Sequence, residues 1–295
     1  MTAAPRHLTL VESVRRQPAP DSRVLHEPAD LLWSKVREEA EDAYEREPTL
    51  ASLLRRTVLD RASFGDAVVH RVAGRLANDM VAGAQIVAAF GHALQADPAI
   101  GAAFRADINA VIDRDPACGR FIEPFLYFKG YHAIQTHRLA HWLWSNGQAD
   151  FALYLQSRSS DVFQTDIHPA ARVGKGVFLD HATGFVVGAT ATIDDDVSIL
   201  QNVTLGGTGK ESGDRHPKVK RGVMIGAGAK ILGNIEVGEF SRVAAGSVVL
   251  HPVPPHSTVA GVPAKVVVKS QRGEPYRDMD QMLSRLAYDS FTYEI

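Results

Sequence analysis

One cysteine in 295 residues, Cys118, excludes an intrachain disulfide and a thiolate metal cage. That usage suits a reducing compartment, and the cytoplasm is the expected location. No stretch approaches the roughly 18–20 consecutive apolar residues that a membrane helix needs, so no membrane association is expected. Charge of one sign is missing too. Against 34 acidic residues stand 32 basic ones, a formal net charge of −2, and nothing in that total favours nucleic acid. The first 29 residues lack the apolar run of a secretory signal, and Glu12, Asp21 and Glu27 among their arginines speak against a transit peptide. They are expected to form a mobile leader.

What is present divides into two textures. Residues 30–160 are rich in helix formers, with apolar positions three and four apart, as in Leu31, Leu32 and Val36 and again in Leu50, Leu53, Leu54 and Val58. Six to eight helices are expected. Asp30 suits an N-cap and Pro48 a first helical turn, while Asp97-Pro98, Asp115-Pro116 and Glu123-Pro124 mark breaks.

Residues 161–269 carry short β-branched clusters separated by Gly, Asp, Thr and Ala, with an internal period of six. Steps of six from Ile167 meet Val173, Leu179, Phe185, Ala191, Val197 and Val203; a second run meets Val219, Ile225, Ile231, Val237, Val243 and Val249. Chance would produce such an apolar series with a probability on the order of 1 in 10⁴ to 10⁵. Each hexad therefore reads as one short strand and a turn, three hexads closing a triangular coil whose inward aliphatic side chains stack. The step from Val203 to Val219 is too long for one repeat, so about ten residues, 209–218, leave the coil as a polar loop.

Three polar clusters lie beside this scaffold: Asp166 with His168, Asp180 with His181, and Asp214-Arg215-His216. His168, followed by Pro169, reads as a solvated corner residue. Asp166 precedes His181 by close to one coil, so an Asp–His pair on neighbouring coils is geometrically open, and such a pair suits proton removal from an alcohol. Arg215 presents a fork that fits a carboxylate. His137 and His141, four apart on a helix, lack the glutamate of a zinc-protease helix, and packing explains them; His251 and His256 flank a Pro-rich turn. No metal site is expected. The glycines from Gly206 to Gly209 lack Walker spacing and suit close backbone approach to a ligand.

The segments Thr165-Asp-Ile-His-Pro-Ala-Ala, Leu179-Asp-His-Ala-Thr-Gly, Val203-Thr-Leu-Gly-Gly-Thr-Gly-Lys, Gly213-Asp-Arg-His-Pro-Lys and Gly222-Val-Met-Ile-Gly-Ala-Gly-Ala-Lys closely resemble the serine O-acetyltransferase family of hexapeptide-repeat acyltransferases. The likeness extends into the helical half through Asp113-Arg-Asp-Pro-Ala and the run from Tyr127 to Trp144, and spans roughly residues 31–269. It implies an α+β chain: an N-terminal all-helical domain that oligomerises and contributes to the serine site, then a left-handed parallel β-helix, then a flexible tail over 270–295.

The resemblance further implies acetyl transfer from acetyl-CoA, a co-substrate and not a resident cofactor, to the hydroxyl of L-serine. His181 acts as general base and Asp166 orients it. Asp115 and Asp180 hold the amino acid, Arg215 takes its carboxylate with His216 alongside, and Gly207, Ala227 and Ala245 border the pantetheine arm. L-cysteine competes at the serine subsite. Ala244 stands where the family commonly has glycine. The terminal Ile295 resembles the peptide that enters the active site of O-acetylserine sulfhydrylase, and the assembly expected is a trimer or a dimer of trimers. Another hydroxyl acceptor (homoserine, a sugar or an antibiotic) and a non-catalytic sulfhydrylase-binding scaffold stand as alternatives. A γ-carbonic anhydrase arrangement does not fit the spacings of His168, His181 and His216.

Overall fold

The structure, a computed structural model, describes residues 30–210, 212–269 and 273–281. The leader 1–29 and Ile295 lie outside the described residues. From Leu31 onward the chain opens with α1 (Leu31–Arg46), a 3₁₀ turn (Pro48–Leu50) begun by Pro48, α2 (Ala51–Leu54) and a π turn (Arg55–Leu59). There follow α3 (Phe64–Leu76), α4 (Gly83–Ala96), α5 (Ala99–Arg114), α6 (Ile122–Leu126), α7 (Lys129–Ser145) and α8 (Ala149–Phe163). Asp97-Pro98 separates α4 from α5, and Asp115 ends α5, as expected of residues that precede proline. Glu123-Pro124 does not break a helix. Pro124 sits in the first turn of α6, where a missing N–H has no intrahelical partner to lose.

Beyond Gln164, whose left-handed backbone (φ 59°) ends α8, the chain winds into a solenoid of parallel strands, three to a coil. The first coil is β1 (Thr165–Ile167), β2 (Arg172–Val173) and β3 (Phe178–Leu179); the second is β4 (Phe185–Val187), β5 (Thr192–Ile193) and β6 (Ser198–Ile199). The third is β7 (Thr204–Gly206), β8 (Lys218–Val219) and β9 (Met224–Ile225), and the fourth β10 (Lys230–Leu232), β11 (Glu236–Val237) and β12 (Arg242–Val243). A last coil holds β13 (Val248–Val249) and β14 (Thr258–Gly261), and β15 (Ala264–Val268) folds back antiparallel on β14. The first face is β1-β4-β7-β10-β13, the second β2-β5-β8-β11, and the third β3-β6-β9-β12-β14-β15.

The register corrects the period. Ile167 pairs with Val187, Val173 with Ile193 and Leu179 with Ile199, each twenty residues on and not eighteen, whereas Val187 pairs with Leu205 at eighteen. Two extra residues therefore occupy the corner between β3 and β4. The stacked positions of the second coil are Val187, Ile193, Ile199 and then Leu205, each two residues after the Phe185, Ala191, Val197 and Val203 of the sequence series. Both sets are buried, because a hexad points two side chains inward. Leu205 and Val219 are then fourteen apart, so the loop between β7 and β8 holds eight residues beyond one repeat, two fewer than the spacing suggested.

One hydrophobic cluster runs from Val36, Phe64 and Phe104 in the helices through Leu179 and Val187 to Val259 at the far end of the solenoid. Among the described residues no helix is long and apolar enough to cross a membrane. α7 lies against the first coil through its histidines: His137 Nε2 donates to Ala171 O (3.1 Å), and His141 Nδ1 meets Pro169 O at 2.8 Å. His168 packs edge-on against Trp144.

Burial pushes the His132 and His137 imidazoles down to about 3. In the unfolded chain a histidine titrates near 6.5. Below that pH the unfolded chain takes up protons that the fold refuses, so the stability these two residues hold above pH 6.5 is lost progressively as pH falls toward 3. The thermal midpoint should accordingly decline between pH 6.5 and 4, and His137→Gln, which keeps a donor toward Ala171 O, should flatten that decline. Parallel wild-type and variant curves would show that His137 plays no part in it.

Candidate active site

The corner between β3 and β4, two residues longer than the repeat, carries Asp180 and His181. His181, Ala182 and Gly184 all take left-handed backbone (φ 55°, 61° and 73°), a conformation that non-glycine residues adopt at a cost. Two packing contacts hold it there. Ala182 is fully buried beneath α7, and the Lys129 ammonium at the start of that helix donates to Thr183 Oγ1 and to Gln164 Oε1 (3.2 Å). Gly130 permits the approach: a Cβ there would lie 1.9 Å from Leu179 O. The outcome is a histidine side chain 70% exposed, with Nε2 3.6 Å from Asp180 Oδ2.

Asp180 faces a cavity of about 410 Å³ bounded by the end of α5 and by residues 277–281. Asp115 lines the same cavity, one of its oxygens accepting from Ala117 N–H at 2.9 Å. Burial raises the Asp180 carboxyl above its ordinary value, the Asp115 carboxylate raises it further, and His181 opposes both. Two carboxylates facing one cavity repel each other, and a bound ammonium relieves that repulsion.

Asp166 lies exposed on β1 and accepts from Gln156 Nε2 at 2.6 Å. The His181 corner stands beside the start of that strand, since Gly184 N–H donates to Gln164 O at 2.9 Å. Ala227 and Ala245 occupy the equivalent corners of later coils, between the third face and the first, and are tied through Gly246 N–H to Ala227 O (2.8 Å).

Gly207, Arg215 and His216 lie elsewhere, on the edge where the first face turns into the second. The Arg215 side chain packs over Gly207, and His216 is buried with its ring over Gly188, where a Cβ would come 2.0 Å from the imidazole. Thr190 Oγ1 meets His216 Nδ1 at 2.8 Å and accepts from the Arg215 and His216 amides (3.1 and 3.2 Å). Burial lowers the His216 pKa, and Arg215 and Lys218 lower it further. The chain thus brings Asp115, Asp180 and His181 together, and separately Gly207, Arg215 and His216, on opposite edges of the first face. Among the described residues no group of three or more His, Cys, Asp or Glu side chains is placed to hold a metal ion.

The family description "Serine acetyltransferase, N-terminal" matches residues 32–136, and "Bacterial transferase hexapeptide (six repeats)" matches 216–251. Serine acetyltransferase of Salmonella typhimurium is 51% identical over 267 residues, 90% of this chain and 97% of that protein. This chain belongs to the serine acetyltransferase family. The Haemophilus influenzae member is likewise 51% identical, over 85% of this chain and 94% of its own. Among solved structures, serine acetyltransferase of Brucella abortus in complex with coenzyme A superposes with a TM-score of 0.80 at 59% identity, covering 81% of this chain and 95% of that one. A serine acetyltransferase in complex with cysteine gives 0.84 at 50% identity, covering 86% and 98%.

Several residues of this site had no role assigned from sequence. Lys129 and Gly130 lie within the Tyr127–Trp144 run that resembles the family, but only the packing of α7 on β3 reveals what they do. Thr190 and Gly188 carry no signal by residue type. Residues 273–281, part of the stretch expected to be a flexible tail, form α9 (Pro275–Asp278) against α5, with Arg277 paired to Asp113 at 2.7 Å. Gly130→Ala should lower stability by the upper part of the roughly 1–3 kcal/mol typical of overpacking, because the obstructing atom is a backbone carbonyl that cannot rotate away. An unshifted thermal midpoint would mean that α7 does not sit on β3 as described.

Proposed function

We propose that the chain transfers the acetyl group of acetyl-CoA to the hydroxyl of L-serine, releasing O-acetyl-L-serine and CoA, and that L-cysteine inhibits it at the amino-acid subsite. The observation that carries this reading is the pairing of Asp115 and Asp180 across one cavity beside the exposed His181, in a chain half identical to serine acetyltransferases over most of its length. Relatives solved with coenzyme A and with cysteine support the two ligands.

The substrate ammonium lies between Asp115 and Asp180, where it neutralises two facing carboxylates. His181 takes the proton from the serine hydroxyl as its oxygen attacks the thioester carbonyl. The tetrahedral oxyanion collapses, the C–S bond breaks, and the CoA thiolate recovers the proton from the imidazolium. Asp166 orients and charge-stabilises that imidazolium. His181 faces Asp180 and Asp166 accepts from Gln156 Nε2 in the structure, so this role requires the exposed ring to turn from Asp180 toward the first face. Arg215 and His216 take the substrate carboxylate, and Gly207, Ala227 and Ala245 border the pantetheine arm.

Because the two groups of side chains stand on opposite edges of one face, the complete site lies between neighbouring subunits, each offering one edge. A trimer of solenoids supplies that arrangement, and the helical halves pair two trimers into a hexamer. The terminal Ile295 enters O-acetylserine sulfhydrylase.

Release of free CoA thiol, followed with L-serine, L-homoserine and a sugar as acceptors, tests the reaction. Serine-dependent release suppressed by L-cysteine is expected, and His181→Ala should lower turnover by roughly 10²–10⁴. Turnover of another acceptor alone would overturn the substrate, and an unaffected His181→Ala enzyme would overturn the base. Deleting Ile295 should abolish binding to the sulfhydrylase in a titration while acetyl transfer continues; unchanged binding refutes that contact.

A further inference from the structure

The last residue of α5, Arg114, is an arginine with a side chain only 4% exposed, and none of the chemistry above uses it. Its guanidinium gathers four groups from three separate stretches of chain. Nη1 donates to Gly176 O (2.9 Å) and to Ser198 Oγ (3.2 Å), and Nη2 lies 3.5 Å from Asp196 Oδ1. Its carbon stands 4.6 Å from the centre of the Tyr276 ring. Ser198 passes the network on, its hydroxyl donating to Tyr276 O at 2.6 Å. Nε is buried without a hydrogen-bond partner among the described residues. Burial depresses the guanidinium's pKa, and Asp196 restores part of it.

Such a group is costly to bury, and a packed apolar side chain could hold α5 on the solenoid more cheaply. What an apolar residue cannot do is fix direction. The next residue is Asp115, the last of the α5 turn, and its carboxylate must meet the substrate together with Asp180 on the solenoid. Asp180 belongs to β3's corner, and Gly176 and Ser198 flank that same strand, one before it in the chain and one beside it on β6. Arg114 is thus a rigid fork between the two elements whose separation sets the Asp115 to Asp180 gap. It also contacts α9 through Tyr276, and Arg277 of that helix and the following Met279 line the cavity.

We propose that Arg114, braced by Tyr276, is a positioning residue for the amino-acid subsite: it fixes Asp115 against Asp180 and so sets the affinity for serine without touching it. This rests on the function proposed above. A misplacement of the order of 1 Å is enough to spoil a two-carboxylate grip on one ammonium. Lysine keeps the charge but cannot span Gly176, Ser198, Asp196 and the Tyr276 ring at once.

Steady-state kinetics of the full-length enzyme test it with Arg114→Lys, Tyr276→Leu and the double variant. Arg114→Lys should raise KM for L-serine by about ten-fold or more, with kcat changed less than about three-fold and KM for acetyl-CoA unchanged, the pattern of lost ground-state binding. Tyr276→Leu, at a partly exposed position where folding is not at stake, should move the same constant in the same direction, and the double variant should fall short of the product of the two effects. A serine KM at the wild-type value in Tyr276→Leu and in a folded Arg114→Lys overturns the inference, as does an equal loss toward both substrates. Failure of the wild-type enzyme to acetylate serine would instead overturn the function it rests on.

Discussion

The pair of Asp107 and Arg138, both buried, sets everything else in place. Asp107 Oδ2 accepts from Arg138 Nη2 (2.6 Å) and Nε (3.1 Å) and from Gln135 Nε2 (3.0 Å), and Oδ1 accepts from Val177 N–H (3.1 Å). Arg138 in turn donates to Gly174 O at 2.8 Å. An aspartate of α5 and an arginine of α7 are thereby bolted to each other and to the corner between β2 and β3. Removing either partner of such a pair leaves a buried charge uncompensated, typically a loss of about 3–5 kcal/mol. The two helices it locks are the two whose ends carry the site: α5 terminates at Asp115, and α7 starts with Lys129 and Gly130 under the His181 corner.

The solenoid contributes flatness and repetition, which by themselves supply no chemistry. Each hexad commits two side chains to the interior, and the outward ones stand on faces too regular to converge on a small molecule. Convergence comes from the two places where the chain exceeds eighteen residues per coil. Two extra residues at the β3–β4 corner force left-handed backbone and push an imidazole into solvent; eight extra residues between β7 and β8 bring Arg215 and His216 back over Gly207 and Gly188. These irregularities fall on opposite edges of the first face. A single chain therefore holds the two groups apart, and the reaction proposed above, which uses both, calls for a second chain to bring them together.

The hexad period was legible because it is written in aliphatic residues, and so was the division into helices and coils. The slip of two residues was not. A hexad buries two positions, and an offset of two carries one buried position onto the other, so Phe185, Ala191, Val197 and Val203 satisfy the period as well as Val187, Ile193, Ile199 and Leu205 do. Side chains with intrinsic chemistry, such as His181, Asp166 and Arg215, could be picked out by type. Their separation between two edges could not, because it depends on which face each strand joins. Glycines whose use is the absence of a Cβ, as at Gly130 and Gly188, become meaningful only when the opposing atom is known.

The same reasoning explains why the corner of His181 tolerates its backbone. Left-handed conformations at two consecutive non-glycine residues are unfavourable locally, and the corner's own hydrogen bonds, Ala182 N to Asp180 O and Thr183 N to His181 O at 2.6 and 2.7 Å, span too few residues to hold it alone. The restraint comes from outside: Ala182 pressed under Gly130, Lys129 fixed to Thr183, and Gly184 bonded to Gln164 at the end of α8. Each of these belongs to the helical half. A solenoid with the same hexads but no helices against its first coil would keep the two extra residues of this corner and lose the three contacts that fix their path. The helical half therefore shapes the His181 corner as well as lending Asp115 to the cavity that Asp180 faces, and the two halves of the chain cannot be assigned separate tasks.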